Sequence, residues 1–418
     1  MLDPADIASR LHASLTGEQV HILARAVFYA EAAGLPLYLV GGGVRDILMG
    51  APLKDFDLAA EGDPSAFAPA LALDLGSRIE MRSQFATTKF TSGGMNVDVA
   101  MARRETYARP GALPAVAPAS IAEDLWRRDF TIHAIALRLH PAPMEIRDPT
   151  GGLRDLEAGL VRVLHPRSFQ DDATRILRAL RYEQRLGFRL EAETERLLLR
   201  DRSYLDAISG DRLRRELDLA FHEPCAPGFL RRAAGLGVLQ ALHPDLPDAP
   251  AINQRLDELP RLGSPPLPLT HLALLTFGLQ ESRRKAVLAR FNATKAWAKV
   301  VEDAAAAEAV AAALTPALRP SEVCRKLQGL AIEAIQSAAA LCASHDVRAL
   351  LLRYLSQWRH MRPHLAGGDL LRLGIPPGPH LGDILEALQD AVWDGAVKTR
   401  EEEMALVRRI SQVQAGDP

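Results

Sequence analysis

The sequence predicts an α+β fold: a sheet backed by helices in the N-terminal part, then helices to the far end of the chain. Three observations predict it. Up to about residue 165, short apolar runs bounded by turn residues alternate with helical stretches, the mixture expected of a sheet with helices on its faces. Beyond that point the strand pattern stops and helical periodicity takes over. The chain has 418 residues, 48% hydrophobic and 24% charged, which suits two to four folded domains and argues against disorder.

In chain order, Leu37–Gly41, Asp55–Ala60, Phe85–Thr91 and Asn96–Met101 read as strands, with Val44–Met49 and Ser65–Leu75 as helices between them. Ser168–Leu186 reads as one long helix, with Ser168 as its N-cap, Asp171 three residues on, and Gly187 as its stop. Glu191–Arg200 and Asp211–Phe221 continue in helical register. Pro244–Pro268 holds seven prolines in 25 residues and reads as a connector. From Leu269 onward alanine-rich helical periods break at Pro316, Pro320 and Gly374–Pro379. The resulting division is 1–165, 166–243, 244–330 and 331–418.

Composition bounds the function. With 50 Lys+Arg against 52 Asp+Glu the net charge is −2, which argues against a strongly basic, indiscriminate nucleic-acid binder. Residues 1–150 carry 14 basic against 18 acidic groups, leaving 36 against 34 for the rest. Aromatics at 5% argue against a platform of many stacked bases. Cys225, Cys324 and Cys342 lie far apart, without zinc or redox spacing, and read as reduced small hydrophobes. Neither a signal peptide nor a membrane span is visible, so the expected compartment is the cytoplasm. No protein partner is evident, and a monomer or homodimer is expected.

Five constellations carry chemistry. Gly41-Gly42-Gly43-Val44-Arg45-Asp46 follows an apolar strand; its glycines allow backbone N–H groups close to an anion, although a turn that merely needs glycine would look the same. In Lys54-Asp55-Phe56-Asp57-Leu58 the strand period of two puts Asp55 and Asp57 on one face. Paired carboxylates suit a hard cation such as Mg2+, and solvated edge acids are the plainer reading. Asp98 alternates with Val97 and Val99 and becomes a third carboxylate if its strand neighbours the first pair. Arg127-Arg128-Asp129, read at the front of an amphipathic helix, can hold a triphosphate and a ribose hydroxyl, or can be surface charge. Asp172 and Arg175 are i,i+3 neighbours, which suits a local ion pair or the reading of a nucleobase edge.

Taken as an ordered set, GGGVRD, KDFDL, NVDVAMARRETYARPGALP, EDLWRRDFTIHAIAL, DPTGGLRDLEAGLVRVL and SFQDDATRILRALRY resemble the tRNA nucleotidyltransferase and bacterial poly(A) polymerase family, class II of the polymerase-β-like nucleotidyltransferases. The resemblance covers residues 37–220 and returns at GGDLLRLGIPPGPHLGDILEAL. It implies a polymerase-β-like head with a small mixed sheet, followed by all-helical neck, body and tail domains. It implies addition of C, C and A to the 3′ end of tRNA from CTP and ATP, with two Mg2+ ions.

By matching position, Asp55 and Asp57 are the metal-binding and catalytic pair, with Asp98 as a further carboxylate. Gly41, Gly42, Arg45, Arg128, Asp129, His133, Asp172, Arg175 and Arg178 would bind nucleotide. Arg103, Arg104 and Arg109 would meet tRNA. Two departures stand out: His133 replaces the usual Asn of the RRDxxN motif, and Asp171 replaces the usual Glu before Asp172. The segment Arg82–Lys89 reads closer to the tRNA enzymes than to poly(A) polymerases, and the loop Arg103–Pro114 reads as intact. Complete CCA addition is therefore the first expectation, with A-adding, CC-adding and poly(A) activities behind it. A non-catalytic RNA-binding module and a small-molecule nucleotidyltransferase are the alternatives from other classes.

Overall fold

The computed structural model describes residues 9–11, 13–82, 87–106 and 115–415. The chain forms two units, Met1–Arg212 and Leu213–Pro418. The first begins with α1 (Gly17–Ala32), β1 (Leu37–Val40), α2 (Gly42–Leu48), β2 (Asp55–Ala60), α3 (Ala68–Asp74), β3 (Ile79–Arg82), β4 (Thr88–Ser92) and β5 (Met95–Met101). It continues with β6 (Arg103–Thr106), β7 (Ala115–Pro118), α4 (Ile121–Trp126), β8 (Ala136–His140), β9 (Glu145–Arg147), α5 (Gly152–Glu157) and β10 (Leu160–Val161). Then come α6 (Ser168–Asp171), α7 (Thr174–Leu186), β11 (Arg189–Leu190) and α8 (Ala192–Asp201).

Seven strands form one sheet in the order β3-β4-β5-β2-β1-β8-β9. It is mixed: β2 and β5 run parallel, and the other pairs are antiparallel. Alternation along β2 decides what each face holds. Phe56, Leu58 and Ala60 enter a core with Leu37, Leu39, Val97 and Val99, covered by Ile22 and Ala26 of α1. Full burial of a side chain such as Phe56 contributes about 1.5–3 kcal/mol. On the other face Tyr38, Val40 and Ala59 pack under Ile121 and Leu125 of α4. Asp55 and Asp57 share that second face, because side chains two residues apart point the same way.

The structure revises four expectations. Strands β3 and β6 to β11 add to the four expected, and β11 lies beyond residue 165, paired in parallel with β10. The helix expected over Ser168–Leu186 is interrupted at Asp172, whose backbone is extended (φ −146°, ψ 100°). Ser168 is thus the first residue of a short helix, and Asp172 supplies the capping oxygen to the N–H of Thr174 at 3.0 Å. The proline-rich stretch contains a helix, Ala249–Asp257: Pro250 sits in its first turn, where no N–H is needed, and Asp248 caps it. Arg127 and Arg128 follow the C-terminus of α4 and do not begin a helix.

The second unit has only helices among its described elements, from Ala226–Gly235 to Arg400–Ala415. Leu365, Leu370, Ile375, Ile384, Leu388 and Val407 form one of its cores, spanning the break before Pro379. Among the described residues, no helix is long and apolar enough to cross a membrane.

Candidate functional site

The open end of the β2 face collects the acidic residues. Asp57 stands opposite Asp98 in the β2–β5 register, and Asp55 opposite Asn96, whose amide donates to it at 3.0 Å. Asp98 is ion-paired with Lys89 of β4, its antiparallel neighbour. Burial and then Asp98 push the Asp57 carboxyl above the usual range; Asp55 adds to this, and Arg128 and Lys89 oppose it. An excess of negative charge at a half-buried carboxylate is what a bound divalent cation relieves, so Asp55 and Asp57 fit such an ion. Asp98 is paired with Lys89, and no group of three or more metal-ligating side chains occurs among the described residues.

Beside the carboxylates, β1 turns into α2 at Gly41, whose φ is +74°. Only glycine adopts that conformation without strain. A Cβ there would also lie 3.0 Å from Nη1 of Arg128 and 3.5 Å from Oδ2 of Asp57. The glycine thus brings backbone, arginine and carboxylate together. Gly41–Gly43, Arg45, Lys54 and Arg185 are among the walls of a cavity of about 270 Å³. A second cavity of about 440 Å³ lies between Lys89, Met101 and Arg127. Asp57 and Arg128 line both cavities and are the partition between them.

Asp124, 1% exposed, organises the arginines. It accepts from Nε of Arg127 at 2.9 Å, from Nη2 of Arg128 at 2.9 Å and from the backbone of Arg103 at 3.1 Å. Burial pushes its carboxyl up, but Arg128 and Arg127 outweigh this and hold it below the usual range. Asp129 is held as firmly. One oxygen accepts from the backbone of Phe130 at 2.9 Å and faces Nδ1 of His133 at 2.8 Å; the other accepts twice from Arg178, at 2.6 and 2.9 Å. Burial raises this carboxyl, yet Arg178 and His133 bring it well below its usual range. Nε2 of His133 lies 2.6 Å from Nη1 of Arg45, and the Tyr182 ring meets His133 edge-on at 4.3 Å. The turn Thr131–His133 packs so closely on α5 that a Cβ at Gly152 would lie 2.1 Å from the Thr131 carbonyl.

The remaining expected residues divide. Arg45 lines the smaller cavity, but its guanidinium is buried against Asp46 and His133. Asp172 and Arg175 do not pair with each other. Asp172 accepts from Arg212 at 2.7 Å, while Arg175 donates to the Arg127 carbonyl at 2.8 Å and to the Ser168 hydroxyl at 3.2 Å. The interruption at Asp172 removes the regular helical spacing that would have joined them. Arg103 is tied to Glu105, whereas Arg104 is exposed, 3.8 Å from Glu123. Arg109 and the rest of 107–114, like 83–86, lie outside the described residues.

Three participants escape a reading by motif. Asp124 precedes Arg127 and Arg128 by three and four residues, a spacing that would have found it. Tyr182 shares a face of α7 with Arg178 and Arg185, all three lining the smaller cavity. Lys89 faces Asp98 only once β4 and β5 are paired.

Known proteins are similar to most of this chain. A family model described as the poly A polymerase head domain matches residues 37–162, and one described as a probable RNA and SrmB-binding site of polymerase A matches 187–249. An A-adding tRNA nucleotidyltransferase of Geobacter sulfurreducens is 36% identical over 90% of this chain, which spans only 45% of that relative's length. An A-adding tRNA nucleotidyltransferase of Halalkalibacterium halodurans is 32% identical, with 94% of this chain and 93% of that one covered. The structure of the Thermotoga maritima CCA-adding enzyme complexed with tRNA superposes with a TM-score of 0.74 at 28% identity, covering 97% of this chain and 98% of that one.

Proposed function

The chain belongs to the tRNA nucleotidyltransferase and poly(A) polymerase family, and on that premise we propose that it adds C, C and A to the 3′ end of tRNA, without a template, from CTP and ATP. The observation that carries this reading is the pair of cavities partitioned by Asp57 and Arg128. One holds the glycine turn and suits a triphosphate; the other opens along the sheet face and suits an incoming 3′ end. Asp55 and Asp57 are the residues that would hold Mg2+, two ions in this reading, which when bound polarises the attacking hydroxyl and neutralises the departing pyrophosphate.

The chain's own groups do the rest. The N–H groups after Gly41 and the Arg128 guanidinium face the phosphates, fixed charges that need no reorganisation during transfer. Asp129, locked by Arg178 and His133, stays ionised, and accepting from a ribose hydroxyl requires one of its present donors to give way. Arg178, Tyr182 and Arg185 offer the nucleotide one wall along α7. Base reading by Asp172 and Arg175 requires them to exchange Arg212, Ser168 and the Arg127 carbonyl for the base edge. We read 1–165 as the catalytic head, 166–243 as the neck, 244–330 as the body and 331–418 as the tail, the helical parts binding tRNA in the cytoplasm.

The test is to supply tRNAs ending at the discriminator base, at C and at CC with CTP and ATP together, one of the two labelled, and to size the products. Growth of all three to CCA is expected. The A-adding relatives favour a second reading, addition of A alone; extension of only the CC-ended tRNA would replace the first reading with it. No growth of any end would overturn both.

A further inference from the structure

His133 is 5% exposed and has a partner on each ring nitrogen, so it has little room to contact nucleotide itself. Its tautomer follows from its neighbours. An arginine guanidinium can only donate, so Nε2 must be the lone-pair nitrogen that accepts from Arg45. Nδ1 then carries the single proton and donates to the Asp129 carboxylate, whose other oxygen is occupied by Arg178. Four groups face the ring: Arg45 from α2, Asp129 from its own turn, and Arg178 and Tyr182 from α7. We infer that His133 works as a neutral imidazole that positions Arg45 beside the glycine turn, and that a second proton on it releases Arg45 and weakens triphosphate binding.

The proton would go onto Nε2. That would set an N–H against the Arg45 N–H at 2.6 Å, donor facing donor and cation facing cation. Arg45 would have to draw Nη1 away from the ring, pivoting on the Asp46 carboxylate that holds its Nε and Nη2, and it lines the same cavity as Gly41–Gly43. Burial holds His133 below the usual imidazole range; Asp129 opposes this, while Arg45 and Arg178 reinforce it. The transition therefore lies on the acid side of an ordinary histidine. An amide at this position can also accept from Arg45, but it does not titrate.

The inference rests on the nucleotidyltransferase reading, and two measurements on the full chain separate their failures. Nitrogen NMR of 15N-histidine-labelled protein, with His133 assigned by its absence in H133N (or H133Q should H133N not fold), is expected to show the neutral Nδ1–H form at pH 7. The Nε2–H form or an imidazolium at that pH would overturn the inference. ATP affinity is expected to fall about tenfold through the acid transition in wild type, the worth of one charge-assisted hydrogen bond, and to stay level in H133N over the same window. An equal acid loss in H133N would overturn the inference, as would no ATP binding at any pH. A His133-dependent acid loss of ATP binding with no extension of any tRNA end would support it while overturning the activity.

Discussion

Asp57 and Asp129 lie at the same cleft, and their surroundings treat their charges in opposite ways. Asp129 has a backbone N–H, an imidazole N–H and a two-pronged guanidinium around it, and its carboxyl sits well below the ordinary range. Asp57 has burial and two further carboxylates near it, and its carboxyl sits above the range, with Arg128 giving only partial relief. A satisfied charge fixes geometry, whereas an unsatisfied one waits for a ligand. Where a charge is left unsatisfied in a folded protein, stability has been given up for function.

The sharpest way to break this contrast is to neutralise each acid in place. Asp57→Asn is expected to lower nucleotide addition on the order of 10³-fold. It should also raise the melting temperature of the metal-free protein by a few degrees, because it deletes a repelled charge. A lower melting temperature would mean that Asp57 is compensated after all. Asp129→Asn should do the reverse to stability, costing about 1–3 kcal/mol because it removes the buried carboxylate that accepts two hydrogen bonds from Arg178. The sign of its pH dependence is fixed: the folded carboxyl is depressed, so its contribution is complete above the unfolded carboxylate range and is lost as pH falls through the folded value. Denaturant titrations of wild type and variant should therefore converge in acid, and a gap independent of pH would contradict the assignment. The smallest effect is expected from Lys89→Met. The Lys89–Asp98 pair is partly exposed and worth under about 1 kcal/mol, but its loss frees a third carboxylate beside Asp57. Mg2+ binding, measured by calorimetry, should tighten a few-fold; unchanged affinity would place Asp98 outside the ion's reach.

Much of the acidic end was legible in the sequence, because its chemistry is local. The alternation of Asp55 and Asp57 with Phe56 and Leu58 dictates which side faces the core, and Asp98 between two valines follows the same rule. The neutralising partners were not legible. Lys89 reaches Asp98, and His133 reaches Arg45, only through pairings that the fold creates across the chain. The break at Asp172 also left no mark, since neither glycine nor proline stands there; its cause is a side-chain oxygen competing for the Thr174 N–H. Counting prolines failed at Ala249–Asp257, because a proline in the first turn starts a helix as readily as it ends one.

The strand order has a consequence for the order in which the protein can be made. β1, whose edge lies against β2 on one side, waits on the other for β8, so that Leu39 meets Leu137 only after the intervening chain exists. Until β5 is synthesised, Phe56 and Leu58 have no Val97 and Val99 to pack against. A nascent chain that has left the ribosome as far as Trp126 therefore presents the open edge of β1, which invites association with other chains. A fragment ending there, which contains the entire acidic pair, should be found in the insoluble fraction, and extending it past Arg147 supplies the two strands that close that side of the sheet.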